Sequence, residues 1–370
     1  MPKITPKNPD RSWLDLFLEK SLTQTEVYKI DTPKVDLKLD QNESPFDWPD
    51  QLKKRICDKL AKVAWNRYPQ AYPTDLENLV AEYAGVDQGC VLLSPGSNHL
   101  NALTISTFAK QAKGKVVVAR PSFALYESHC KYEGIPYETW DLDDNLEYNL
   151  EKLPKLPKGS LVVFATPNNP VGNNLKRSDL ITMLKENPDS LFISDEAYFE
   201  FSKEPSTDLL KEFSNLIIIR TFSKTMGAAG VRLGYLIGAP EYVSQLRKVM
   251  LPFLINQYSY IAAKEVLSDK ETLKGFLDTV EMIISEREKM YAELKAVGDS
   301  KGFYVKESCA NFLLIKWENN DRCQTSYKAL IEKGILVRNV SKGPGLEGCY
   351  RLSLGTPEQN VRVLNAFKEL

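Results

Sequence analysis

Four short apolar runs, mostly of β-branched residues, recur through the middle of this sequence: KVVVA at 115–119, LVVFA at 161–165, LFIS at 191–194 and LIIIR at 216–220. Each is apolar at successive positions rather than at alternate ones, so a strand formed there must be covered on both faces. Amphipathic segments such as RSDLITMLKEN at 177–187 lie between them. A β-α-β-α rhythm built on doubly buried strands predicts a mainly parallel sheet between helices, an α/β domain.

After Leu254 the pattern changes. Long helical stretches, SYIAAKEVLSD and a charged segment around 271–297, precede separated strand-like pieces: NFLLIKW at 311–317, ILVRNV at 335–340 and CYRLSL at 349–354. This predicts a smaller α+β domain, with the segment before about residue 50 packed against it. The boundaries expected are 51–255 for the large domain, and 1–50 with 256–370 for the small one. A chain of 370 residues with 43% hydrophobic content can fill both cores. No internal repeat or low-complexity tract interrupts it.

Charge narrows the partners. Forty-eight basic residues against 49 acidic ones leave a net charge of -1, which gives no footprint for nucleic acid or an anionic membrane. Any anion site must therefore be local. The N-terminal MPKITPKNPDRSWLDLF lacks the apolar core of a signal peptide, and LVVFA is far too short to span a bilayer, so a cytoplasmic protein is expected. Cys57, Cys90, Cys130, Cys309, Cys323 and Cys349 form no C-x-x-C pair and read as reduced, structural thiols. His99 and His129 lack partner motifs and read as structural, which leaves metal and serine-hydrolase chemistry unsupported.

In an open parallel sheet, ligands bind beyond the carboxyl ends of the strands. LVVFA runs into TPNNPVG, LFIS into DEAY and LIIIR into TFSK, so three strand ends deliver Asn169, Asp195 with Tyr198, and Lys224 to one rim. Singly, each has an ordinary use, as a turn, a helix cap or a core tyrosine. Together they match what an aldehyde cofactor with a pyridine ring and a phosphate requires: a lysine for the Schiff base, a carboxylate to keep the ring nitrogen protonated, and donors for the phenolic oxygen. For the phosphate, SPGSNHLNALTISTFAK reads as a glycine turn entering a helix whose first N–H groups, near Ser97 and Asn98, face an anion. Thr221, Ser223 and Arg232 add hydroxyls and a guanidinium.

TPNNPVG, SDEAY and TFSKTMGAAGVRLGY, in this order and spacing, resemble fold-type I pyridoxal-phosphate enzymes of the class I/II aminotransferase group. Within it, LDQNESPF at 39–46, NRYP at 66–69, GILVRN at 334–339 and GCYRLSLGT at 348–356 are similar to the histidinol-phosphate aminotransferases. The resemblance runs from about residue 39 to the C-terminus. It implies an aspartate aminotransferase-like fold and pyridoxal 5'-phosphate as cofactor. It also implies a homodimer that transfers an amino group from histidinol phosphate to 2-oxoglutarate in histidine biosynthesis.

Carried over by residue, the resemblance makes Lys224 the Schiff-base lysine and Asp195 the partner of the ring nitrogen. Asn169 and Tyr198 become the partners of the phenolic oxygen. Phe123 becomes the ring that stacks on the cofactor, and Ser97, Asn98, Thr221, Ser223 and Arg232 the phosphate cradle. Tyr68 matches a tyrosine that reaches the phosphate of the neighbouring subunit. Arg351 matches the arginine that grips a substrate carboxylate, and Arg338 one placed for the substrate phosphate or second carboxylate. Asn42 and Tyr28 complete the expected substrate contacts.

NESPFDWP departs from the group's NENPFG at Ser44 and Asp47, and Tyr28 stands at an unusual spacing. Both departures border the substrate entrance and leave the cofactor motifs untouched. The same frame serves aromatic or broad-specificity aminotransferases and decarboxylases of phosphorylated amino acids. Regulators on this fold carry a DNA-binding extension, for which there is no room before residue 39.

Overall fold

The computed structural model describes residues 5–8, Trp13, Leu16 and 33–370. Its strands, numbered along the chain, form two sheets. The first, β1 (Leu37–Leu39), belongs to the smaller one. The larger contains β2 (Val91–Ser94), β3 (Val116–Arg120), β4 (Glu138–Asp141), β5 (Leu161–Ala165), β6 (Leu191–Asp195), β7 (Leu216–Thr221) and β8 (Gly234–Ile237). Their order is β2-β8-β7-β6-β5-β3-β4. Only β8 runs against its neighbours, and the four doubly apolar runs are adjacent parallel strands at its centre.

Alternate residues of these strands point into two separate cores, which is why their successive positions are apolar up to the polar carboxyl ends. Val162, Phe164, Phe192 and Ile218 face the layer containing α1 (Asp50–Leu60), α2 (Thr74–Ala84) and residues of a later helix, Gln257–Leu267. Val163, Ile193, Ile217 and Ile219 face the layer of α3 (Ser97–Phe108), α4 (Leu125–Tyr132) and a helix at Pro240–Val249. In chain order, α5 (Arg177–Glu186), α6 (Pro240–Val249) and α7 (Gln257–Leu267) complete the cover of the large sheet.

The long α8 (Lys270–Lys301) leads to the smaller sheet. Asp269 caps its first turn by accepting from the Glu271 N–H, and Gly302, at φ 76°, ends it in the left-handed conformation that glycine tolerates. Then follow β9 (Phe303–Lys306), β10 (Phe312–Trp317), α9 (Asn320–Glu332), β11 (Ile335–Asn339), β12 (Cys349–Ser353) and α10 (Pro357–Lys368). The sheet order is β1-β11-β12-β10-β9, antiparallel except for β1 beside β11. That parallel pair ties Leu37–Leu39 to the C-terminal part of the chain. No described helix is long and apolar enough to cross a membrane.

Candidate active site

The carboxyl ends of β5, β6 and β7 lie side by side, with Ala165 opposite Asp195 and Asp195 opposite Ile219. One rim therefore carries Asn169, Asp195 and, just past β7, Lys224. The lysine sits in the helical turn Phe222–Thr225, which Thr221 caps by accepting from the Ser223 N–H at 3.2 Å. Its Nζ donates to the Gln41 carbonyl at 2.8 Å. Burial, and after it the Arg351 guanidinium, lower the amine's pKa from 10.5 to about 7. A lysine held so can be an uncharged nucleophile and base near neutral pH.

Asp195 is buried at the end of β6. Its Oδ2 accepts from Asn101 Nδ2 and from the Tyr126 hydroxyl, both at 2.7 Å, and its Oδ1 accepts from the Ala197 N–H at 3.0 Å. Burial raises its pKa, and these donors pull the other way. The Tyr198 hydroxyl, three residues on, accepts from Asn42 Nδ2 at 3.0 Å. Asn42 is fixed in turn: its N–H donates to Ser353 Oγ at 2.9 Å, and that hydroxyl donates back to Asn42 Oδ1 at 2.8 Å.

Arg351 on β12 joins the two sheets. Its Nη1 donates to Asn169 Oδ1, and its Nη2 to the Asp40 carbonyl at 2.7 Å. Arg338 on β11 is its direct cross-strand partner. Opposed residues of an antiparallel pair share a face, with Cβ atoms about 4.5–5.5 Å apart.

The other end of the site is an anion cradle. Gly96, at φ 89°, precedes α3, where Ser97 and Asn98 occupy the first turn. A Cβ on Gly96 would meet Arg232 Nη2 at 2.7 Å, and one on Gly234 would meet the Ser97 nitrogen at 2.5 Å. Glycine at both positions lets a guanidinium and a helix N-terminus converge, beside the buried hydroxyls of Thr221 and Ser223. Arg232 itself takes φ 58° and donates to the Ala229 carbonyl at 2.9 Å.

Phe123 is half-buried and packs edge-on against Tyr126, 5.6 Å between ring centroids. Tyr68 is not brought to this rim by its own chain: it is 82% exposed and stacks on Phe253 at 4.9 Å. Tyr28 lies outside the described residues. His99 Nδ1 shares a hydrogen bond with Ser94 Oγ at 2.7 Å, and burial lowers the pKa of both histidines. All six cysteines are free thiols, and no cluster of metal-binding side chains occurs among the described residues.

Sequence reasoning missed a buried charge network under the rim. Glu196, next to Asp195, accepts from Arg220 Nη2 at 2.6 Å and Nε at 3.0 Å, and Arg220 lies 3.5 Å over the Phe199 ring. The pair fastens the end of β6 to the end of β7. Beside it, burial raises Glu200 to a pKa of about 7, and its Oε1 accepts from the Tyr83 hydroxyl at 3.1 Å. The available signal was a glutamate and an arginine placed at the ends of otherwise apolar strands.

The family model for aminotransferase class I and II matches residues 34–367. A histidinol-phosphate aminotransferase of Chlorobaculum tepidum is 34% identical over 359 residues, which is 96% of this chain and 100% of that protein. Among solved structures, the histidinol-phosphate aminotransferase of Clostridium acetobutylicum aligns at a TM-score of 0.79 with 26% identity, over 90% of this chain and 98% of its own. The fold is also that of the Sinorhizobium meliloti histidinol-phosphate aminotransferase in complex with pyridoxal-5'-phosphate, at a TM-score of 0.78 and 20% identity, with 95% and 97% covered.

The residues present fit that cofactor: a glycine-lined anion cradle at one end, a buried carboxylate fed by donors at the other, and an amine of lowered pKa on the same rim. The chain belongs to the aminotransferase class I and II family and is a pyridoxal-phosphate-dependent aminotransferase of the aspartate aminotransferase-like fold.

Proposed function

We propose that this enzyme moves the amino group of histidinol phosphate to 2-oxoglutarate, giving imidazole acetol phosphate and glutamate. The observation that carries the reading is the opposed pair Arg338 and Arg351, with Arg351 fastened to Asn169 on the rim. Histidinol phosphate carries a phosphate ester and no carboxylate, whereas glutamate carries two carboxylates. A site that serves both needs planar, multidentate cations at more than one place. The full-length likeness to histidinol-phosphate aminotransferases supports the same assignment.

In this reading Lys224 holds the cofactor through Nζ. Asp195 holds the proton of the ring nitrogen, Asn169 and Tyr198 bind the phenolic oxygen, and Phe123 covers the ring. Ser97, Asn98, Thr221, Ser223 and Arg232 bind the phosphate. When bound, pyridoxal phosphate supplies an aldehyde that takes up amino groups and a ring that accepts electrons. Displaced when the substrate amine takes its place, Nζ of Lys224, with its pKa lowered to about 7, would take the proton from the substrate carbon bearing nitrogen and deliver it to the carbon at the other end of the C–N system. Arg351 orients the glutamate carboxylate, Arg338 the phosphate or second carboxylate, and Asn42 borders the substrate through its bond to Tyr198.

In this reading the large domain takes in residues 51–267, since α7 packs on the large sheet and, contrary to the boundary expected from sequence, does not begin the small domain at 256; the described residues before 51 and those from α8 onward form the small domain, with the site between the two. The enzyme works as a cytoplasmic homodimer. Trp65, Tyr68, Leu251 and Phe253 are exposed, an apolar surface suited to a second copy, and Tyr68 reaches from it to the partner's phosphate cradle.

The test is a half-reaction. Purified holoenzyme mixed in turn with histidinol phosphate, glutamate and phenylalanine should convert its cofactor to the amine form fastest with the first at equal concentration. Preference for phenylalanine would promote an aromatic aminotransferase. Release of carbon dioxide from a phosphorylated amino acid, with no glutamate consumed, would promote a decarboxylase.

A further inference from the structure

Asp195 carries an arrangement that its own role does not require. Both donors converge on one oxygen, Oδ2, while Oδ1 accepts only the Ala197 N–H. A carboxylate oxygen has two good acceptor directions, so Oδ2 is filled and Oδ1 retains capacity. Asn101 is 1% exposed and Tyr126 is fully buried, so neither bond is shared with solvent. The Asn101 amide is committed to this use: its own Oδ1 is buried with no hydrogen-bond partner among the described residues. An amide kept only to fill space would not leave its oxygen orphaned, since leucine fills such a place at no polar cost.

The two donors are also tied to other parts of the cofactor site. Asn101 lies one helical turn beyond Ser97 on α3, so one helix carries both the expected phosphate contacts and a donor to Asp195. Tyr126 packs edge-on against Phe123, the expected stacking residue.

We propose that Asn101 and Tyr126 are positioning residues that keep Asp195 an anion, turned so that Oδ1 meets the protonated ring nitrogen of pyridoxal phosphate. The proposal rests on the reading of Asp195 given above. Burial favours the neutral acid, and the two donors oppose it. Without either donor, Asp195 takes up its proton at a higher pH and loses its charge for the ring nitrogen there.

The other groups around Asp195 do not supply this behaviour. Glu196 stays paired to Arg220, and the phenols of Tyr148 and Tyr198 are pushed up by burial and remain neutral. Lys224, lowered to about 7, is retained in every variant and is not among the groups bonded to Asp195, so ratios to wild type are read.

The experiment measures the dissociation constant of pyridoxal phosphate from apoenzyme between about pH 5.5 and 8.5 for wild type, Tyr126→Phe, Asn101→Leu and Asp195→Asn. Tyr126→Phe removes a single oxygen atom and keeps the packing. Each donor variant should bind about tenfold more weakly at the acid end, with the gap closing as pH rises and Asp195 ionises. Asp195→Asn should bind weakly at every pH without recovery. A loss of equal size at all pH values, or no loss, in both donor variants would show packing alone and overturn the proposal. Wild-type binding by Asp195→Asn would instead overturn the reading of Asp195, and the proposal with it.

Discussion

Replacing Arg351 separates charge from geometry at the join between the two sheets. In Arg351→Ala the Asp40 carbonyl and Asn169 Oδ1 each lose a charged donor, in a side chain that is only 8% exposed. At about 1.5–3 kcal/mol for each bond to a charged group, stability falls by roughly 3–6 kcal/mol before the structure relaxes. A glutamate carboxylate left unpaired in a buried site costs about 3 kcal/mol or more, on the order of 10²-fold in kcat/KM. Arg351 is also the second cause, after burial, that lowers the Lys224 pKa. Its loss removes that repulsion and admits water, and both changes move the lysine upward.

The assay is the rate at which apoenzyme captures pyridoxal phosphate as a function of pH, because the uncharged amine is the reacting form. Wild type should inflect near the Lys224 value of about 7, and Arg351→Ala at a higher pH. Arg351→Lys keeps the charge and loses the planar fork, so its inflection should stay near wild type while glutamate turnover still falls. An Arg351→Ala enzyme with an unmoved inflection, or with unimpaired glutamate turnover, would refute the reasoning.

Two further outcomes follow from the same residues. The unfolded chain keeps the Lys224 proton up to about 10.5, whereas the folded apoprotein releases it near 7, so the unfolded state binds more protons between these values and stability rises with pH across that window. Lys224→Met should flatten that rise in denaturant titrations and stabilise the apoprotein by several kcal/mol at pH 7; an unchanged slope would contradict the depressed amine. If Tyr68 completes the partner's site, an equal mixture of Lys224→Ala and Tyr68→Phe subunits should regain about a quarter of wild-type activity, since half the dimers carry one intact site. A stable, fully active monomer by sedimentation would remove Tyr68 from the site.

What could be read from the sequence depended on how much of each signal is local. The strands at 116–120, 161–165, 191–195 and 216–221 were visible because both their faces are buried. β8 was not, because GYLI begins inside the glycine-rich motif that also carries Arg232, and its identity as a strand comes from pairing with β7 and β2. β1 is three residues long and owes its existence to β11, about 300 residues away along the chain. In the site, Lys224, Asp195 and Asn169 were legible because each lies at the carboxyl end of a strand or within a few residues beyond it. Asn101 and Tyr126 were not: each sits within an ordinary helical pattern, and only the packing of α3 and α4 against the sheet turns them toward Asp195. The Arg338 and Arg351 pairing was hidden likewise, since register is a property of two strands.

The central claim is that Lys224 is the residue that holds the cofactor. Holoenzyme reduced with borohydride, digested and mapped by mass spectrometry tests it most directly, with Lys224→Ala treated in parallel. One pyridoxyl group per chain is expected, on the peptide containing Lys224, and none in the variant. Labelling of another lysine, or equal labelling of Lys224→Ala, would contradict it.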